Sequence, residues 1–170
     1  LGAKKIASSD ITRAVVRRNF ANGTTFDMYE HDISSDNTTT SGASNLYDST
    51  FYFLTSDNRV YKVLDNNGGT AYSGSEPTSE STSPFALGGY VLKYMYTISS
   101  SDAAKFLTTD FMPVSTDSTV SAAATDGAIE SLIVTAGSGY TDGTYFAAVF
   151  GDGTSQGTSS GAIVRITVSG

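Results

Sequence analysis

The chain has no cysteine and no tryptophan, a single histidine (His31) and three prolines among its 170 residues. The missing cysteine excludes disulfides, thiolate-bound zinc and a cysteine nucleophile. One histidine cannot by itself supply a multi-histidine metal site or a two-histidine acid/base pair. Charge is sparse as well: 16% of residues are charged, below the usual quarter or so. Acids outnumber bases 17 to 10, giving a net charge of −7, which argues against nucleic acid as the main partner. The basic residues gather only at Lys4-Lys5 and Arg17-Arg18. No apolar run approaches the 18 or so residues of a membrane-spanning helix.

What is present is polar and aromatic. Ser and Thr exceed a quarter of the chain, with 17 Gly, 10 Tyr and 9 Phe. Such a mix favours a sheet protein with many turns. It also suits a surface meant to be covered, since interface cores are depleted of charge. This length buries about 70% of the unfolded surface and suffices for one domain or two small ones. The chain begins at Leu1 without a signal-peptide pattern and stops at Gly170 directly after a strand-like stretch. Both ends therefore read as cut from a longer chain.

Along the sequence, Ile11–Phe20 reads as a short strand or extended arm, and Asn22-Gly23 as a turn. Phe26–Ile33 fits a strand and a helical turn equally. Phe51–Leu54 and Arg59–Leu64 read as a hairpin about Asp57-Asn58, closed by Asn66-Asn67-Gly68-Gly69. Tyr90–Ile98 alternates, with Tyr90, Leu92, Tyr94, Tyr96 and Ile98 on one face, as in a strand covered on both sides. Ser101–Leu107 reads as the one short helix, capped by Ser101. Phe111–Val114 is an extended exit. Beyond Ser121 the texture turns to small residues and Gly, with strands at 127–137, Tyr145–Phe150 and Ile163–Val168. Ser34–Ser44 and Gly74–Ser83 are polar loops, expected to stay mobile until a partner orders them.

The motifs carry little chemistry. Asp126-Gly127, Asp142-Gly143 and Asp152-Gly153 each offer one carboxylate where calcium needs several at close spacing; they read as turns. Tyr29-Glu30-His31-Asp32 would not converge on a strand, where neighbours point to opposite faces. Gly137-Ser138-Gly139-Tyr140 lacks the Lys and following helix of a phosphate loop. Tyr52, Phe53, Tyr90, Tyr94 and Tyr96 lack the basic rim that base stacking needs.

Three segments in order carry a resemblance. Val16–Phe20 precedes Phe26–Tyr29; Tyr47–Phe53 leads to Val60–Gly69; Gly89–Ile98 leads to Lys105–Leu107 and Phe111–Val114. Over about residues 14–114 this order resembles the dimeric all-β baseplate wedge subunit of T-even-type contractile-tailed phages, in its cyanophage-like form. The Gly-rich tail is similar to a repeat found in several phage structural proteins. The resemblance implies an elongated, non-enzymatic virion protein without cofactor or metal, bound to other wedge proteins and to itself as a dimer, located in the tail baseplate and made in the host cytoplasm. The tail and the short length depart from that family.

The expectation is an all-β protein: an aromatic-rich β-sandwich-like domain over residues 1–118, then a small Gly/Ala/Thr-rich β module over 119–170, with one short helix. The candidate interface is Arg17, Arg18, Phe20, Phe26, Tyr29, Tyr47, Phe51, Tyr52 and Tyr61. The alternative function is a carbohydrate- or receptor-binding module of a tail fibre.

Overall fold

The structure, a computed structural model, describes residues 5–123, 137–148 and 163–169. The chain divides into two compact units, Leu1–Ile133 and Val134–Gly170. The architecture is all-β, with strands paired antiparallel in three sheets.

In the first unit a four-stranded sheet runs in the order β2 (Tyr52–Leu54), β3 (Arg59–Asp65), β5 (Tyr90–Thr97), β4 (Phe85–Leu87). Two tight turns build it. Asn58 takes φ 61° between β2 and β3, a conformation Asn tolerates better than most residues. Gly88 and Gly89, at φ 62° and 86°, join β4 to β5, the left-handed pair a two-residue hairpin requires. β4 was not foreseen; its three residues are too short to show a period. A second sheet pairs β1 (Arg13–Val16) with β6 (Phe111–Val114). The arm reading of Ile11–Phe20 thus resolves into a strand. Phe26–Ile33 forms neither strand nor helix.

The four-stranded sheet is covered on both faces. One core holds Phe26, Phe53, Tyr61, Val63, Tyr72, Tyr90 and Leu92. The other holds Leu54, Val60, Ile98 and Met112, with Val15, Tyr52, Tyr96, Ala103 and Leu107 against it; it fills the space between the sheet and the β1–β6 pair with its helix. Phe53 and Leu54, adjacent on β2, point into opposite cores, as a strand demands.

The alternation read for Tyr90–Ile98 is broken by a bulge. Val60 pairs with Tyr96 but Tyr61 pairs with Tyr94, leaving Met95 without a register partner and exposed. One inserted residue reverses the faces that follow. Tyr90, Leu92 and Tyr94 therefore pack in the first core, whereas Tyr96 and Ile98 pack in the second.

The short helix is α1, Ser100–Phe106. Its cap is Ser99 rather than Ser101: Ser99 Oγ accepts the Asp102 amide at 3.1 Å. A second short helix, α2 (Ser118–Ala123), begins at the expected domain boundary; the sequence reading assigned no helix there. In the second unit β7 (Gly143–Ala148) pairs with β8 (Ile163–Val168). The left-handed residue before β7 is Gly139, φ 82°, and Gly143 opens the strand. The strand expected at 127–137 falls mainly outside the described residues, as do the turns at Asp126 and Asp152.

Candidate interaction site

Both polar loops make hydrogen bonds within the chain, an internal means of ordering them besides the expected partner. The agent for the first loop is Asp27, whose side chain is fully buried. Its carboxylate accepts the Ser41 amide and the Ser41 hydroxyl, each at 2.7 Å, the Thr50 amide at 2.8 Å and the Ser49 hydroxyl at 3.2 Å. Burial opposes ionisation, but these donors outweigh it and hold the Asp27 carboxyl below the ordinary aspartate value. Asn66, also buried, adds Nδ2 bonds to the Phe26 carbonyl and the Thr40 hydroxyl, each at 3.0 Å.

The second loop is fastened by Glu76, which accepts the Ser56 amide and hydroxyl. The Arg59 Nε–Glu80 ion pair spans 2.8 Å. Tyr61 donates its hydroxyl to the Ser79 carbonyl at 2.8 Å, and Tyr72 donates to Ser75 at 2.9 Å. Asp27, Asn66, Glu76 and Arg59 were not singled out from sequence. Nothing local marks these loop-fastening contacts, because those partners lie 14 to 40 residues away.

The expected interface residues separate into groups. Phe26 and Tyr61 are buried in the first core, at 3% and 0% exposure, and present no surface. Phe20 is half-buried against Phe26, Phe53 and Tyr72. Arg17 is fastened to its own chain, Nε to Asn19 Oδ1 at 2.8 Å and Nη1 to the Thr108 carbonyl at 2.9 Å. Tyr47 is 67% exposed. Arg18, Tyr29, Phe51 and Tyr52 gather on one side of the sheet. Tyr29 and Phe51 meet edge-on at 5.2 Å, as do Phe51 and Tyr52 at 5.0 Å. The structure adds Lys62 to them, its Nζ 3.4 Å from the centre of the Tyr29 ring.

His31 and Asp32 approach only to 3.9 Å, with the imidazole side chain 84% exposed. Among the described residues no three His, Asp or Glu side chains stand close enough to hold a metal ion. No described helix is long and apolar enough to cross a membrane. Compared with protein-family models, curated proteins and solved structures, the chain matches none.

Proposed function

We propose that this protein is a non-enzymatic structural component of a virion, a baseplate wedge protein of a contractile phage tail that joins neighbouring subunits. The reading rests on the ordered segments between residues 14 and 114, which carry the resemblance and fold within one compact unit. The observation that favours it over a ligand-binding module is the use of the tyrosine hydroxyls. Tyr52, Tyr61, Tyr72, Tyr90 and Tyr96 donate to the carbonyls of Val16, Ser79, Ser75, Thr70 and Pro113, at 2.7–3.0 Å. Tyr52, Tyr61, Tyr90 and Tyr96 thereby rivet the sheet to other parts of the chain, and Tyr72 pins its own loop.

A carbohydrate platform needs aromatic faces and hydroxyls free to meet a sugar. Here most are spent on rigidity. A joint that transmits force between neighbours needs a scaffold that keeps its shape, and internal rivets provide that. Mass spectrometry of purified particles together with co-purification of wedge proteins tests the proposal. Recovery of the chain in the baseplate fraction supports it; binding of the isolated chain to a glycan array, with absence from particles, refutes it.

A further inference from the structure

Strand register places a row of side chains on one face of the four-stranded sheet. Tyr52 of β2 pairs with Lys62 of β3, and Lys62 pairs with Lys93 of β5. Arg18 extends the row beyond β2, its guanidinium carbon 6.0 Å from the centre of the Tyr52 ring. Tyr29 roofs Lys62, and Phe51 stands between Tyr29 and Tyr52.

These cations lie on a chain with a net charge of −7, yet among the described residues Arg18 and Lys62 have no carboxylate partner. Among the described residues the ion pairs are His31–Asp32, Arg59–Asp57 and Arg59–Glu80. Neither Arg18 nor Lys62 has a carboxylate within that reach. Arg18 donates through Nη2 to the carbonyls of Tyr47 and Asp48, and its Nε is buried without an acceptor. Asp48, whose carbonyl accepts from Arg18, turns its carboxylate to Asn45 Nδ2. Like charges directly opposite on neighbouring strands repel, and a half-buried charge that meets only neutral groups costs stability. Burial and the Lys93 charge together hold the Lys62 ammonium below the ordinary lysine value.

We propose that this row is a docking surface for an acidic, carboxylate-bearing segment of another protein chain. This names the kind of partner for the joint described above and rests on that reading. Carboxylates answer the uncompensated charge, and the ring faces and edges of Tyr29, Phe51 and Tyr52 offer apolar contact to the side chains between them. Nucleic acid fits less well: a polyanion needs a basic track longer than this row.

The test is anisotropy of a fluorescein-labelled oligoglutamate peptide titrated with the full chain. Wild type binds with an affinity that falls as salt rises. Arg18→Gln and Lys62→Gln each weaken binding roughly fivefold or more, while Lys5→Gln does not. Lys62→Met keeps the stem under Tyr29 and removes a disfavoured charge, so it melts no lower than wild type and shows the same loss. Unchanged affinity in Lys62→Met, or tighter binding to a single-stranded oligonucleotide than to the peptide, overturns the proposal. Particle composition separates the two readings. If peptide binding depends on Lys62 but the chain is absent from particles, the docking surface stands and the baseplate reading fails. If Lys62→Met enters particles as well as wild type, the docking surface fails and the baseplate reading stands.

Discussion

The ring of Tyr72 fills the space where a side chain on Gly88 would stand: a β-carbon there would lie 2.6 Å from Tyr72 Cε2. Gly88 also sits at φ 62°, so both the turn and the aromatic core require the missing side chain. Gly88→Ala is expected to cost about 2–4 kcal/mol, from left-handed strain and displacement of a buried ring. Gly23→Ala is the control, with φ 82° and nothing within 4 Å; it should cost about 1 kcal/mol. Equal shifts in urea midpoint for the two variants would contradict the Tyr72 contact.

Asp27 should make the fold acid-sensitive. Its folded carboxyl ionises below the ordinary value, so its contribution is fully present above the unfolded aspartate value. The contribution is lost as the pH falls through the lower folded value. Asp27→Asn removes this pH-dependent part, so the two proteins should converge in stability at strongly acid pH. Asp27→Ala leaves the buried Thr50 and Ser41 donors unanswered and should cost about 3 kcal/mol or more at neutral pH. Thermal melts across acid pH decide this.

Alkali should act most strongly through two tyrosines. Burial, the largest cause for both, pushes Tyr61 and Tyr96 up to about 12. The folded chain holds these protons where the unfolded chain, ionising near 10, releases them. Stability should therefore decline as the pH rises from about 10 to about 12, and their phenolate absorbance should appear last. Early ionisation of both in a still-folded protein would contradict the two cores.

Hydrogen exchange on the isolated chain should find protected amides at Ser41, Thr50 and Ser56, each bonded to a carboxylate. Asp27→Asn should lower protection at Ser41 and Thr50 and leave Ser56 unchanged. Rapid exchange at all three in wild type would restore the partner-ordered view of the loops.

The all-β class, the β2–β3 hairpin, the body of β5 and the neighbourhood of α1 were legible in the residues themselves. Local rules govern them: alternation, Asn and Gly at left-handed turns, and serine before a short helical run. Sequence also placed Arg18, Tyr29, Phe51 and Tyr52 in one candidate set, without the lysine that joins them. Tertiary structure alone decided the rest. The Met95 bulge depends on how β5 meets β3, and it sends Tyr94 and Tyr96 to different cores. The roles of Asp27, Asn66 and Glu76 depend on hydrogen-bond partners far along the chain. Nothing in the sequence sets Lys62 apart; only register with Tyr52 and Lys93, and the Tyr29 ring above it, shows a charge with no carboxylate partner among the described residues. Periodicity reports which face a residue takes within its own strand, whereas burial, pairing and charge balance are set by what the fold brings opposite it.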